Sequence, residues 1–164
     1  MRAPHSLNAV QLAVVSGASR GIGLGFTSQL LRRTTGTVIA TSRAAEESPG
    51  LKELQSQWPG RLVAMNCDVT DTADVKGVAA RIKKEHGGRV DLLLNVAGLL
   101  HDQSTGLAPE RSISKFDADM AMRVMALNAI GPVVMTQGIS PMLSKGAVIG
   151  NLSARVGSIS DNRM

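Results

Sequence analysis

Residues 16–23 read SGASRGIG, with three glycines in eight positions, and directly follow the apolar stretch of residues 11–15, QLAVV. Glycine has no Cβ, so this backbone can turn tightly and come close to a bound group. Beyond the glycines, Ile22 and Phe26 repeat at helical spacing, which predicts a helix that begins near Gly21. A glycine turn between a strand and a helix is typical of nucleotide diphosphate sites, because the first N–H groups of the helix attract phosphate oxygens.

Apolar stretches and helical patterns alternate along the whole chain. Strands that alternate with helices are parallel and joined by right-handed crossovers, so the sequence predicts an α/β fold with a doubly wound, Rossmann-type parallel sheet. The predicted strands are residues 11–17, 37–43, 61–69, 90–98 and 147–153, in the sheet order 3-2-1-4-5 within one domain, residues 1–164. The predicted helices are residues 21–33, 51–57, 71–86 and 113–143.

The last predicted helix, residues 113–143, carries a methionine-rich apolar face. Such a face usually fills a core or an interface. Gly131 and Pro132 interrupt the helix, and proline has no N–H, so we expect a kink or a local break in the hydrogen-bond ladder there. Residues 99–112 form the one sizeable predicted loop.

The composition restricts the class of protein. The 164 residues are 43% hydrophobic and 19% charged, which is ordinary for a globular α/β protein. The net charge of +5 is dispersed and the aromatic residues are one Trp and two Phe, so we expect no nucleic-acid partner. The sequence offers no continuous apolar run of the roughly 20 residues that a membrane span needs. No signal-peptide pattern precedes the first strand, and a cytoplasmic protein without a membrane partner is predicted.

Metal and thiol chemistry are not predicted. The single cysteine, Cys67, excludes an internal disulfide and lies in an apolar run, so we expect a buried, unreactive thiol. The three histidines lack the spacing of metal ligands, and no metal site is expected.

Four motifs, in this order, resemble those of the classical short-chain dehydrogenase/reductases. The glycine loop is similar to the TGxxxGxG motif of that family, with Ser16 in place of threonine, and residues 95–98, NVAG, are similar to its NNAG motif. Asp68, after the third strand, and Asn128, on the long helix, also match family positions. The resemblance covers about residues 12–163, and the segment NLSARVGSISDN looks like a subgroup of small carbonyl reductases related to the C-factor and sniffer proteins.

The resemblance implies an oxidoreductase that moves a hydride between a nicotinamide coenzyme and a carbonyl or alcohol substrate. NADP is favoured over NAD, because an NAD site usually places a carboxylate after the second strand to accept from the ribose 2′-OH. This chain instead has residues 41–43, TSR, at that position and Arg20 in the glycine loop, and two guanidinium groups suit a 2′-phosphate. The residues expected to hold the dinucleotide are Gly17, Ser19, Arg20, Gly21, Ile22, Gly23, Arg43, Asp68, Val69, Asn95, Ala97 and Gly98.

The catalytic residues that the resemblance implies are only partly present. The family uses a serine after strand five, a tyrosine, and a lysine one helical turn beyond it, whereas this sequence contains no tyrosine. The position of the catalytic serine aligns with Ala154, which leaves Ser153, or the nearby Ser158, as the candidate to orient a carbonyl. Asn128 is expected to position a water in the proton relay.

We therefore expect a chain that is truncated before the YxxxK segment, with an incomplete C-terminus and further strands missing. The fifth strand would then be an exposed apolar edge, the methionine face would lack a neighbour, and the chain alone would be marginally stable and inactive. The full-length protein is expected to be a homo-oligomeric NADP-dependent reductase. The alternative is a catalytically inactive short form that acts as a dinucleotide-binding, regulatory or dimerising module.

Overall fold

The computed structural model describes residues 7–100, 112–154, 157 and 160. Five parallel strands form one sheet in the order β3-β2-β1-β4-β5, as the sequence predicts. The strands are β1 (Leu12–Ser16), β2 (Thr37–Ser42), β3 (Leu62–Asn66), β4 (Val90–Asn95) and β5 (Leu143–Asn151). The helices are α1 (Gly21–Arg33), α2 (Pro49–Gln57), α3 (Thr72–His86), α4 (Ala118–Met125) and α5 (Gly131–Ile139), with a π-helical segment, Ala126–Ile130, between the last two.

The sheet is covered on both faces, which produces two hydrophobic clusters. On one face, Ile39 and Leu93 of the strands pack with residues of α3 and α5. On the other face, Val15 and Val38 pack with residues of α1 and α2. Strands that are buried on both faces need near-continuous apolar sequences, and for this reason the positions of the strands could be predicted from the sequence.

Local sequence signals set the ends of α2 and α3. The hydroxyl of Ser48 accepts from the N–H of Leu51 at the start of α2, and a carboxylate oxygen of Asp71 accepts from two N–H groups at the start of α3. Helix α3 ends at Gly87, whose φ of 71° is in the left-handed region that glycine adopts without strain.

The helical tract that follows residue 117 does not break at Pro132, but its hydrogen-bond pattern changes just before it. In the π-helical segment the N–H of Gly131 donates to the carbonyl of Ala126, five residues earlier. Pro132 has no N–H, so the carbonyl of Asn128 lacks the donor that a regular α-helix would supply. The expected local disruption of the ladder is therefore a π-turn rather than a sharp kink.

Apolar side chains remain exposed on β5 and on α4. Val148 of β5 is 45% exposed and Met122 of α4 is 70% exposed. In the described part of the chain, β5 pairs with β4 alone, as expected for an edge strand. The tract Ala118–Met142 has 25 residues and contains an 18-residue window with a mean hydropathy of 1.2, so it has the length and composition of a membrane span. One such helix is weak evidence for a membrane; 11% of the window is buried in this fold, and Met135 and Ile139 pack into the core.

Arg61 joins three segments in a way that the sequence did not reveal. Its guanidinium donates to the carbonyls of Leu31 at 3.0 Å, Thr34 at 2.7 Å and Gly36 at 3.1 Å, which lie at the end of α1 and just before β2. The same group lies 5.2 Å from the ring centroid of Trp58. A single cation therefore satisfies backbone acceptors beyond the C-terminus of α1 and connects them to the start of β3.

We predict that Arg61→Lys lowers the free energy of unfolding by about 2 kcal/mol, because one ammonium cannot reproduce the planar fork of donors. Urea denaturation followed by circular dichroism measures the change. The exposed Arg32→Ala on the same end of α1 is the control and should change stability by less than about 0.5 kcal/mol. Equal effects of the two substitutions would contradict the role of Arg61.

Asp91, at the start of β4, ties together the beginnings of two neighbouring strands. Its carboxylate accepts from the N–H of Gln11 at 2.9 Å, the N–H of Leu12 at 3.2 Å and the hydroxyl of Ser144 at 2.6 Å. Burial raises the pKa of Asp91, but these hydrogen bonds and the charge of Arg89 outweigh burial and lower the pKa below its usual value. The ionised form is thus favoured in the folded protein.

Because the pKa of Asp91 is lower in the folded protein than in the unfolded chain, where it is about 3.9, Asp91 stabilises the fold fully at pH values above about 3.9. This stabilisation is lost as the pH falls through the pKa that Asp91 has in the folded protein. We expect the stability advantage of the wild type over Asp91→Asn to be largest near pH 6 and to shrink below about pH 4. Denaturation at a series of pH values tests this. An advantage that is independent of pH would contradict it.

Candidate functional site

The predicted glycine loop, residues 16–23, lies at the carboxyl edge of the sheet and is fixed to the neighbouring strands. The N–H of Ala18 donates to the carbonyl of Thr41 at the end of β2, at 3.0 Å. The hydroxyl of Ser16 accepts from the N–H groups of Val96 at 3.2 Å and Ala97 at 3.4 Å, just after β4. The serine that replaces the family's threonine therefore fastens the end of β1 to the segment after β4.

The three glycines of the loop have different structural roles. Gly17 has a φ of 69°, and a Cβ there would lie 2.6 Å from the backbone of Ala97. At Gly23 a Cβ would overlap the carbonyl oxygen of Gly17, so this glycine permits the helix to pack on the loop. Gly21 has a φ of 55°, and no atom of the described chain lies within 4 Å of where its Cβ would be. Two glycines thus serve packing, and the third faces open space at the start of α1.

The start of α1 lacks the side-chain cap that the starts of α2, α3 and α4 have. Arg20 occupies the N-cap position in an extended conformation without a capping hydrogen bond from its side chain, and the first turn contains no acidic residue. In contrast, Ser48, Asp71 and Asp117 cap α2, α3 and α4 with their own side chains. The uncapped N–H groups and the positive end of the α1 dipole are therefore available to an anion.

Arg43 and Asp68 lie close enough at the same edge to interact. The carboxylate of Asp68 accepts from the hydroxyl of Thr70 at 2.7 Å and from its N–H at 2.9 Å. Burial raises the pKa of Asp68, but the two hydrogen bonds from Thr70 and the charge of Arg43 outweigh burial and lower it. Arg20, Gly21 and Ile22 are exposed, and Ser19 is half-buried. This edge therefore carries a half-buried anionic carboxylate and two exposed cationic side chains.

Some residues predicted to hold the dinucleotide direct their side chains into the fold. Asn95 is 2% exposed, and its amide donates to Asn151 at 2.8 Å and to Thr136 at 3.2 Å, which links β4 to β5 and α5. Val69 is 4% exposed, and its side chain would lie 2.7 Å from a Cβ placed on Gly131. Any contact of these residues with a bound group has to involve their backbone.

Asn128 lies opposite the segment after β4, and its side chain is fully used there. Its Oδ1 accepts from the N–H of Leu99 at 2.7 Å, and its Nδ2 donates to the carbonyl of Leu99 at 2.7 Å. Gly98 is exposed beside this pair, and a Cβ on it would lie 3.5 Å from Oδ1 of Asn128. The main-chain carbonyl of Asn128 lacks the i+4 donor of a regular α-helix because residue 132 is proline.

Ser153 follows β5 by two residues and is exposed. Its hydroxyl lies close to Gly157, where a Cβ would be 3.4 Å from the Ser153 oxygen. Ser158 lies outside the described residues. Cys67 is buried, and burial together with the carboxylates of Asp74, Asp68 and Asp71 raises its pKa to about 12. The prediction of a buried thiol is confirmed, and the raised pKa disfavours the thiolate form.

The fold is a doubly wound, Rossmann-type α/β domain, with a glycine loop and an uncapped helix at the carboxyl ends of parallel strands. Residues 11–161 match the model of the family described as short chain dehydrogenase. The chain belongs to that family.

Individual relatives agree with this assignment. The chain is 32% identical over 143 residues to a farnesol dehydrogenase of Aedes aegypti, covering 87% of this chain and 55% of that protein. It is 32% identical to NADPH-bound carbonyl reductase from chicken fatty liver, with a TM-score of 0.79, over 93% of this chain and 60% of the other. A short-chain dehydrogenase/reductase structure from Burkholderia multivorans with bound NADP is 27% identical, with a TM-score of 0.80, over 94% and 63% of the two chains. The chain thus spans about 60% of the length of these relatives.

The sequence did not show that the Ser16 hydroxyl accepts from the segment after β4, although a serine at the end of an apolar strand is a polar residue that needs a hydrogen-bond partner. We predict that Ser16→Ala lowers the free energy of unfolding by about 1 kcal/mol, because two partly buried N–H groups lose their acceptor. Ser16→Thr keeps the hydroxyl and should stay within about 1 kcal/mol of the wild type. Urea denaturation of the three proteins measures the difference, and an alanine variant as stable as the threonine variant would contradict the prediction.

Proposed function

We propose that this chain binds NADP(H) along the carboxyl edge of its sheet, as part of a protein that transfers a hydride between the coenzyme and a carbonyl or alcohol substrate. The diphosphate would lie against the glycine loop and the start of α1. Gly17, Ser19, Gly21, Ile22 and Gly23 belong to this loop and helix start. Asp68, Val69, Asn95, Ala97 and Gly98 belong to the ends of β3 and β4 and would line the groove beside it.

The observation that carries this proposal is the uncapped start of α1. Three other helices receive a capping side chain, and α1 receives none. Its first turn also contains Gly21, whose missing side chain leaves open space beside the helix. Uncapped N–H groups at a positive helix end fit phosphate oxygens without further adjustment. Solved relatives with bound NADPH or NADP support the same coenzyme class.

The preference for NADP over NAD rests on the residues after β2. No carboxylate follows the strand directly, and Arg43 is exposed there. The nearest carboxylate, Glu46, forms an ion pair with Arg81 of α3 at 3.8 Å, and its N–H donates to Asn66 at 3.0 Å. This ion pair joins the Glu46 carboxylate to α3, while Arg43 and Arg20 remain solvent-exposed and able to meet a 2′-phosphate.

The catalytic proposal is confined to two residues of this chain. When bound, a nicotinamide coenzyme supplies the hydride. The main-chain carbonyl of Asn128 would hold a water for the proton relay, and the Ser153 hydroxyl, exposed at the end of β5, would orient the carbonyl. The sequence contains no tyrosine, so the proton donor implied by the resemblance is not among these 164 residues. Turnover is accordingly proposed for the whole protein and coenzyme binding for this chain.

The coenzyme proposal predicts that this chain binds NADPH at lower concentrations than NADH. Binding can be followed by the quenching of Trp58 fluorescence or by the enhanced emission of the bound coenzyme. Arg43→Ala should weaken NADPH binding about 10-fold and leave NADH binding within about 2-fold, because only NADPH carries the extra phosphate. Arg33→Ala, an exposed arginine at the opposite end of α1, is the matched control and should change neither. Equal, weak binding of both coenzymes to the wild type would reject the preference for NADP.

A further inference from the structure

We propose that Ser48 is a positioning residue, which holds the glycine loop and the β2–α2 turn in the relative placement that recognition of the 2′-phosphate requires. This inference rests on the coenzyme site proposed above. It assigns a role to a residue that neither the motifs nor the composition single out for binding.

Ser48 lies where the two segments meet. Its hydroxyl donates to the carbonyl of Ser19 at 3.0 Å, and its oxygen accepts from the N–H of Leu51 at 3.4 Å. The N–H of Ser48 donates to the carbonyl of Ala45 at 3.2 Å, which closes a turn over residues 45–48. With 6% of its surface exposed, Ser48 makes these bonds inside the protein, where competition from water is weak.

The hydroxyl bond to Ser19 spans 29 positions of sequence. Ser19 precedes Arg20 in the glycine loop, and the turn segment between β2 and α2, residues 43–47, starts with Arg43. Ser48 therefore links the neighbour of Arg20, through its hydroxyl, to a turn that begins two residues after Arg43, through its N–H. Since both arginine side chains are long and exposed, the placement of their backbones limits how well they can converge on one phosphate.

The competing explanation is that Ser48 merely caps α2. Loss of a cap lowers stability and would reduce the binding of all nucleotides alike, through the smaller folded fraction. Loss of positioning would instead reduce the binding of nucleotides that carry a 2′-phosphate more than that of nucleotides that lack it. The two explanations therefore differ in a ratio of affinities and not in stability.

The test compares 2′,5′-ADP with 5′-AMP by isothermal titration calorimetry, because the two probes differ only by the 2′-phosphate. Ser48→Gly removes the hydroxyl but leaves a residue that helix N-caps tolerate, and Ser48→Thr keeps the hydroxyl. We expect Ser48→Gly to weaken 2′,5′-ADP binding about 3- to 10-fold while 5′-AMP binding changes less than about 2-fold. Ser48→Thr should restore the wild-type ratio.

Asp117→Gly is the matched control, because it removes the cap of α4, which is not part of the glycine loop or the β2–α2 turn. It should leave the ratio of the two affinities unchanged, and circular dichroism should show both glycine variants folded. The inference is overturned if Ser48→Gly leaves the ratio unchanged, or if Asp117→Gly shifts it as much. A wild-type chain that binds neither probe overturns the coenzyme site itself, and this inference with it.

Discussion

The close approach of the glycine loop to the segment after β4 is the constraint on which the rest of the structure depends. The backbone of Gly17 lies so near that of Ala97 that no side chain fits between them. The Ser16 hydroxyl adds two hydrogen bonds across the same boundary. Because the loop is fixed there, α1 must begin at the carboxyl edge of the sheet, with its first N–H groups turned towards solvent. A packing requirement thus produces the geometry that an anion site needs.

Charge is distributed around that edge in a consistent way. Side chains cap α2, α3 and α4, whereas α1 has no side-chain cap; α5 also lacks one, because it continues directly from the π-helical segment. Arginines stand at the loop and after β2, whereas the nearby carboxylates of Asp68 and Glu46 are engaged by Thr70 and by Arg81. The positive end of α1 is therefore accompanied by two arginines, while the carboxylate of Asp68 stays ionised beside Arg43.

The sheet order and most helix bounds could be predicted from the sequence, because buried parallel strands are continuous apolar runs and their helices carry clear start and stop residues. The start of β5 could not. It begins at Leu143 rather than near residue 147, since Ser144, Lys145 and Gly146 resemble a loop and only pairing with β4 extends the strand. Of the candidate site, the glycine loop was predictable from its spacing, but the inward direction of Asn95 and Val69 was not. The ties made by Ser48 and Arg61 also escaped prediction, because they depend on segments that meet only in the folded chain.

The π-turn before Pro132 also sets the rotational phase of the tract that contains it. Each residue of a helix advances the side chains by about 100°, so the extra residue in this turn rotates α5 relative to α4 by roughly that angle. It is this offset that brings Met135 and Ile139 under the sheet while Asn128 meets Leu99. Deletion of one residue between Ala126 and Ile130 would leave a more regular helix, but it would rotate the side chains of α5 by about 100° relative to those of α4. The π-turn is therefore constrained by two sets of contacts, the core packing of Met135 and Ile139 and the hydrogen bonds between Asn128 and Leu99.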